Sequence, residues 1–310
     1  MRLAVPDLVS NSYFPCVAAS ALGFYKKEGI DLEVVHISPV ETCAAALRDG
    51  SVEFIGASAH APLTAFSGWN GVKLLCAQSQ GMYWFLVMRR SLGIPRGQLA
   101  NLKGRRIAAV PFVAVALRRL LIAAGLDPER EAIEIVSPQS ATRPGVNFGV
   151  AAADALEKGA IDGFFANGMG AEIALERGVG DVVIDVRRGD GPKGCFDYTM
   201  PSVATTDRLI ADAPDVAAAV VRAIVRTQQA LKADVSLAAE VGRIMFQPFE
   251  AGLIGRIIQR DLPYYSPVLS EQFVSCLNRY AHDVGLLATA DAPYESVVAT
   301  RFAALWTENG

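Results

Sequence analysis

The chain has 310 residues, about two ordinary domain lengths, and its composition is 52% hydrophobic and 20% charged. This apolar content is enough for two packed cores and argues against long-range disorder. The formal net charge is −3, and basic residues never gather into the dense patches that track phosphate backbones, so nucleic acid is excluded as a partner.

The first part of the chain alternates between strand-like and helix-like segments. Strands are predicted at 3–5, 30–36, 52–57, 72–79 and 84–90, and helices at 16–29, 41–50 and 61–68. Because strands separated by helices form βαβ units, the pattern predicts an α/β fold with a mainly parallel sheet.

A second, similar series starts near residue 103. It predicts strands at 107–110, 132–136, 161–165, 181–186 and 198–205, and helices at 113–125, 149–158 and 169–177. From 207 onward the chain is predicted to be nearly all helix, at 214–232, 235–245, 250–260, 270–286 and 292–307. We therefore expect two α/β lobes with a cleft between them and extended crossings at 84–88 and 198–203 that act as a hinge.

Cysteine and histidine usage predicts neither a metal site nor a disulfide framework. The five cysteines are widely spaced, odd in number and without a CxxC pair, and the three histidines lack metal-binding spacing. We expect no metal and no cofactor. No apolar run approaches the roughly 18 residues that cross a bilayer. Residues 1–7 lead directly into a strand without a signal-peptide pattern, which leaves open a removed signal peptide or a cytoplasmic protein.

Four segments carry a family resemblance. They are NSYFP with ALGFYKKEGIDLEV at 11–34, ALRDGSVEFIG at 46–56, LKGRRIA at 102–108 and ALEKGAIDG at 155–163. In this order and spacing they resemble the sulfonate-, nitrate- and thiamine-pyrimidine-type substrate-binding proteins of ABC importers. The resemblance covers residues 11 to about 165, and the helical C-terminal third is also typical of that family.

The resemblance implies a type II periplasmic-binding-protein fold with two Rossmann-like lobes joined by two hinge strands. Lobe I would comprise 1–86 and 200–310, and lobe II would comprise 87–199. It further implies a monomeric receptor, peripheral to the membrane, that passes a small-molecule ligand to an ABC permease and its ATPase. Its expected location is periplasmic or otherwise extracytoplasmic, with the cytoplasm as the alternative.

Two departures from the family pattern bear on the ligand. The family's Gly-Ser pair after the LKGK strand is replaced at 110–115 by VPFVAV, and its acidic element after the IDA strand is replaced at 164–168 by FFANG. Both changes weaken the case for nitrate or a small alkyl sulfonate, and they favour a flatter, less charged ligand.

Candidate ligand contacts follow from the rule that open α/β sheets bind ligands beyond the carboxyl ends of their strands. The polar residues and aromatic rings in these loops predict a planar heterocycle or an aromatic or organic acid as the ligand. The predicted contacts are Asn11, Ser12, Tyr13, Ser58, His60, Gln80, Tyr83 and Trp84, then Phe112 and Asn167 in lobe II, with Arg143 and Asn147 as further candidates there.

Several of these residues also have a structural alternative that the sequence leaves open. Asn11 or Ser12 could cap the following helix, and His60 could be an ordinary satisfied histidine. Tyr83 and Trp84 could serve packing alone, and Arg143 could be a solvated loop arginine.

An enzyme on the same fold is the alternative function. Aryl-sulfinate desulfinases resemble this family and place a nucleophilic cysteine in the first loop, where this chain has Ser12. Cys16 begins the next helix, and pairing with His60 would define a desulfinase- or decarboxylase-like lyase. The chain has no GxxxxGK(S/T), GxSxG or post-strand GxGxxG motif. We expect a binding protein without catalytic residues.

Overall fold

The computed structural model describes residues 1–137 and 148–307, and the contacts of the chain divide it into two units. The first unit is formed by Met1–Gln80 with Asp197–Gly310, and the second by Gly81–Phe196. The lobe boundaries expected from the sequence, at 86/87 and 199/200, stay a prediction.

The strands are short and run from one end of the chain to residue 206. They are β1 Arg2–Val5, β2 Glu33–His36, β3 Phe54–Ser58, β4 Val72–Ala77, β5 Phe85–Arg89, β6 Arg106–Ala108, β7 Glu134–Val136, β8 Gly163–Ala166, β9 Gly180–Asp185 and β10 Pro201–Thr206.

The helices lie between the strands and then fill the C-terminal third. They are α1 Phe14–Ala21, α2 Phe24–Lys27, α3 Val40–Arg48, α4 Pro111–Ala123, α5 Phe148–Glu157, α6 Gly168–Glu176, α7 Asp207–Asp212, α8 Pro214–Ala233, α9 Ser236–Met245, α10 Pro248–Asp261, α11 Glu271–Asp283 and α12 Tyr294–Val297. None of these described helices is both long enough and apolar enough to span a bilayer.

Each unit contains one five-stranded sheet, and both sheets are mixed. The strand order is β2-β1-β3-β10-β4 in the first unit and β7-β6-β8-β5-β9 in the second. β10 runs antiparallel to β3 and β4, and β5 runs antiparallel to β8 and β9, while the remaining pairings are parallel. Four of the five strands in each sheet run in the same direction, as a mainly parallel sheet requires, and the reversed strands β10 and β5 were not expected. β5 and β10 are the first strands after the two points at which the chain passes from one unit to the other. Because neither is reached through a βα crossover from another strand of its own sheet, neither has to be parallel to its neighbours.

Several predicted helices are broken or shortened. The predicted helix 16–29 is split into α1 and α2 at Gly23, whose φ of 72° ends the first helix. The predicted helix 61–68 consists of two 3₁₀ turns, Ala61–Thr64 and Ser67–Trp69. The predicted helix 292–307 is α12 followed by a 3₁₀ segment, with Val298 between them in a bridge to Leu74.

The core of each unit lies between its sheet and the flanking helices. In the first unit the long helix α8 buries the apolar side chains Val220, Ile224 and Leu231 completely. In the second unit, Phe164 of β8 and Leu120 of α4 are fully buried. These packed layers hold the strand ends, and hence the loops that follow them, in fixed positions.

Candidate functional site

The predicted contacts of the first unit lie at one edge of its sheet. The loops after β1, β3 and β4 emerge there because these three strands run in the same direction, and β10 begins there because it runs in the opposite one. Pro201 at the start of β10 is paired with Ser58 at the end of β3. This register brings residues 198–200 beside the loop that follows β3.

Residues 10–13 of the loop after β1 are buried, and the side chains of Ser10 and Asn11 make hydrogen bonds there. Ser10 Oγ accepts from the backbone N–H of Ser12 at 3.0 Å. Asn11 Nδ2 donates to Asp261 Oδ2 at 2.5 Å, across 250 residues of sequence, and the other Asp261 oxygen lies 3.5 Å from Arg260 Nε. Because Nδ2 of Asn11 is fixed by the carboxylate, its Oδ1 is oriented as an acceptor on the other side of the amide.

Two atoms of this loop lack hydrogen-bond partners. Asn11 Oδ1 and Ser12 Oγ are both buried, and neither has a partner in the part of the first unit that the structure describes. Buried polar atoms are nearly always hydrogen-bonded, and leaving one unsatisfied costs about 1–3 kcal/mol. A ligand that bonds to both atoms would recover that cost.

His60 follows β3 and is held as a neutral imidazole. Its side chain is 1% exposed, and burial lowers its pKa to about 3. Nδ1 lies 2.9 Å from Thr199 Oγ1, and the ring packs edge-on against Tyr280 at 5.2 Å. Tyr280 in turn stacks on the half-buried Tyr198 at 4.9 Å. The edge therefore combines a neutral hydrogen-bonding ring with an aromatic stack.

The sequence did not indicate Thr199 or Tyr280 as partners of His60, or Tyr198 as the ring that stacks on Tyr280. Tyr198 and Thr199 immediately precede β10, and its antiparallel direction places them at this edge. Tyr280 lies in α11, far along the chain. Only the pairing of β10 with β3 could have pointed to Thr199, and no local pattern points to Tyr280.

The remaining predicted residues of the first unit lie close to the same edge. Ser58 ends β3 and is buried, and Tyr13 is buried at the residue preceding α1. The half-buried Gln80 donates through Nε2 to the carbonyls of Ser266 and Val268, at 2.9 Å each. Its amide N–H groups therefore hold the 266–268 loop, which leaves Oε1 as the atom for the predicted ligand contact.

In the second unit, Tyr83 and Trp84 belong to a packed aromatic cluster. Both are buried, with ring centroids 5.0 Å apart, and Trp84 meets Phe165 edge-on at 6.1 Å. The buried Arg187 donates to the carbonyl of Gly81 at 3.3 Å, and its guanidinium lies 5.9 Å from the Tyr83 ring. Arg187 was not predicted, although it follows the carboxyl end of β9 and the strand-end rule could have found it.

Phe112 and Asn167 lie at the corresponding strand ends of the second sheet. Phe112 is half-buried in the first turn of α4. Asn167 caps α6, since its side-chain oxygen accepts from the backbone N–H groups of Met169 and Gly170 at 3.1 and 3.2 Å. Arg143 and Asn147 lie outside the described residues.

The chemistry of Cys16 does not support a nucleophile paired with His60. The thiol is fully buried in α1, and burial raises its pKa well above the ordinary value, with Cys76 adding to the rise. The neighbouring backbone is equally enclosed, because the Cys16 N–H donates to Gln78 Oε1. Reactive cysteines need the thiolate and access to solvent, and burial deprives Cys16 of both.

One surface cavity in the described part of the first unit lies elsewhere. It has a volume of about 600 Å³ and is formed by segments 68–73 and 287–296 together with Asp207. Lys73, which lines this cavity, lies near the beginning of β4, whereas the predicted contacts lie beyond the other end of that strand. None of the predicted ligand contacts lines this cavity.

Comparison with solved structures shows which fold the chain has. A protein from Bordetella bronchiseptica RB50 superposes with a TM-score of 0.76 at 19% identity, covering 96% of this chain and 93% of its own. The periplasmic aliphatic sulphonate binding protein SsuA from Escherichia coli superposes with a TM-score of 0.69 at 13% identity, covering 96% and 91%. This chain has the two-lobed type II periplasmic-binding-protein fold of ABC substrate-binding proteins.

The same fold also occurs in an enzyme. A mutant of DszB in complex with biphenyl-2-sulfinic acid superposes with a TM-score of 0.64 at 18% identity, covering 98% of this chain and 97% of its own. A related structure describes DszB as a desulfurization enzyme. At these identities the likeness shows the shared fold alone.

Comparison with protein families identifies the chain more closely. The family described as NMT1/THI5 like matches residues 10–235, which is well over half of the sequence. The protein belongs to this family. No curated protein matches the chain.

Proposed function

We propose that this protein is a solute-binding receptor that captures a small planar organic molecule for an ABC importer. The observation that carries the proposal is the loop after β1, where Asn11 Oδ1 and Ser12 Oγ are buried without partners in the described first unit. A fold shared with substrate-binding proteins supports the same conclusion. A receptor needs preformed polar positions that a ligand completes, and this loop offers two.

The groups at this edge favour a neutral heterocycle over a small anion. The groups there include the amide oxygen of Asn11 and the hydroxyl of Ser12, near the neutral imidazole of His60 and the Tyr198–Tyr280 stack. A planar heterocycle can stack on such rings and bond to such groups through its ring nitrogens and substituents. An aromatic acid would need a cation for its carboxylate.

The partners and location belong to the same proposal. We infer delivery of the ligand to a permease and ATPase outside the cytoplasm, by a protein that acts as a monomer. The support is the solved structure of SsuA from Escherichia coli, which is described as a periplasmic binding protein. Size-exclusion chromatography with light scattering tests the monomer, and fractionation of the native host tests the location.

A ligand panel tests the function. Thermal unfolding is followed with neutral pyrimidines, aromatic carboxylates, alkanesulfonates and nitrate, since a ligand bound only to the folded state raises its stability. The proposal expects the largest rise in melting temperature with a planar heterocycle or aromatic acid. A response confined to alkanesulfonates or nitrate would contradict the ligand class, and no response to any compound would contradict the receptor.

A further inference from the structure

A second cavity of the first unit is formed by residues outside the candidate ligand site. It has a volume of about 240 Å³ and lies between α8 and the 265–268 loop, with Trp306 at its side. This volume equals the liquid share of roughly eight water molecules at ~30 Å³ each. It is smaller than the pockets of about 300–1,000 Å³ that hold drug-sized ligands. The cavity therefore suits a small metabolite.

One wall presents a buried acceptor of known orientation. Gln228 is 2% exposed, and its Nε2 donates to the carbonyls of Ala77 and Gln78 at 3.0 and 2.8 Å. Since both neighbours are carbonyl oxygens, the amide cannot be flipped, and Oε1 is turned away from the end of β4. Oε1 is buried and has no hydrogen-bond partner among the described residues. Gln228 is one of the residues that line the cavity, so an N–H donor bound there lies beside this amide.

A positive charge lies one helical turn beyond this acceptor. Lys232 lines the same cavity four residues after Gln228, on the same face of α8, and its side chain is exposed. Side chains four residues apart on a helix have Cβ atoms about 5–6 Å apart. An N–H donor and an anionic group separated by only a few bonds can therefore reach both residues at once.

The other walls are apolar and aromatic. The buried Val225 lies one turn before Gln228, and the ring of the buried Tyr265, the half-buried Trp306 and Pro267 complete the lining. Aromatic faces attract an ammonium group and also pack against a short aliphatic side chain. A donor, an anion and a small apolar group are together the features of an amino acid.

We propose that this cavity is a second ligand site that binds a small α-amino acid. The ammonium group donates to Gln228 Oε1, the carboxylate pairs with Lys232, and the side chain packs on Tyr265 and Trp306. The site shares no residue with the strand-end loops, so it neither requires the proposed receptor function nor depends on the same ligand.

Isothermal titration calorimetry with each of the twenty amino acids tests the site, with propionate as the probe that lacks an N–H donor. We expect saturable binding of at least one small amino acid, such as L-alanine, L-serine or L-proline, and at least tenfold weaker binding of propionate. Lys232→Met should weaken amino-acid binding at least tenfold, and Ser266→Phe, which fills the cavity, should abolish it. The matched control Lys158→Met removes an exposed lysine of the second unit and should leave the affinity unchanged.

Four results would overturn the proposal. They are the absence of saturable binding by any amino acid, equal binding of propionate, binding that survives Ser266→Phe, and an affinity that Lys232→Met leaves unchanged. Ser12→Ala separates the two sites, because it should leave amino-acid binding intact. A loss of amino-acid affinity in that variant would assign the binding to the strand-end loops instead.

Discussion

Replacing Ser12 by alanine should weaken ligand binding without weakening the fold. Ser12 Oγ is buried and has no partner in the described first unit, whereas Ser10 Oγ in the same loop accepts the Ser12 N–H at 3.0 Å. The two serines are therefore a matched pair that differ in one respect. The Ser10 hydroxyl contributes to the unliganded fold, whereas the Ser12 hydroxyl would contribute only if the proposed ligand bonds to it.

In the unliganded protein, the two substitutions should affect the free energy of unfolding differently. Ser10→Ala strands a buried N–H and should lower the free energy of unfolding by about 1–3 kcal/mol. Ser12→Ala removes an unsatisfied oxygen and should leave that free energy unchanged or raise it by about 1 kcal/mol. Since 1 kcal/mol shifts the melting temperature by roughly 2–4 °C in a domain of 150–250 residues, the two variants should be separated by several degrees.

In ligand binding, Ser12→Ala is the variant that should show the loss. Loss of one neutral hydrogen bond of about 0.5–1.5 kcal/mol should weaken the affinity of Ser12→Ala about two- to twelvefold. Differential scanning calorimetry gives the stabilities, and titration calorimetry with the ligand from the panel gives the affinities. If Ser12→Ala is destabilised as much as Ser10→Ala, the hydroxyl already has a partner in the unliganded protein and the reasoning fails.

Three further predictions concern burial and backbone strain. A histidine in the unfolded chain binds a proton below about pH 6.5, whereas native His60 does so only below about pH 3. The free energy of unfolding should therefore decrease as the pH is lowered through this window, by up to ~1.4 kcal/mol per pH unit. His60→Gln should flatten this dependence, as measured by urea unfolding at pH 7 and pH 5. Native-state alkylation with iodoacetamide, read by peptide mass spectrometry, should spare Cys16 and modify the half-buried Cys276, and the reverse order would restore Cys16 as a nucleophile. Gly81→Ala should destabilise the protein in denaturant melts by about 1–3 kcal/mol more than Gly93→Ala. Both glycines have a positive φ, but only at Gly81 would a Cβ clash with a ring, that of Phe196, 2.5 Å away. Equal losses of stability would refute that contact.

The alternation of strands and helices could be predicted because it depends on local periodicity. The helix predicted at 41–50 corresponds to α3, which ends just before Gly50 with its φ of 71°. The direction of β5 and β10 could not be predicted in this way. It depends on where the chain passes between units, and the hydrophobic pattern of a strand is the same in either direction.

The candidate site likewise has residues that the sequence could predict and partners that it could not. The strand-end rule selected Asn11, Ser12 and His60 from sequence, and the structure places them at one edge of the first sheet. Their partners Asp261 and Thr199 lie 250 and 139 residues away, so no local pattern connects them. Whether the three residues contact a ligand stays a prediction.

Asn167 shows the opposite case, in which a local signal was present. The asparagine directly precedes the helix that begins at residue 168 and accepts from the two N–H groups expected of a helix cap. Recognition of that capping position would have assigned a structural role to Asn167 from the sequence alone.

Titration calorimetry of the purified protein with the best compound of the panel, followed by chromatography of the recovered compound, tests the receptor proposal most directly. The account predicts saturable binding of one planar organic molecule per chain, weakened by Ser12→Ala, with the compound recovered chemically unchanged. Conversion of the compound to a product, or binding that Ser12→Ala leaves untouched, would contradict it.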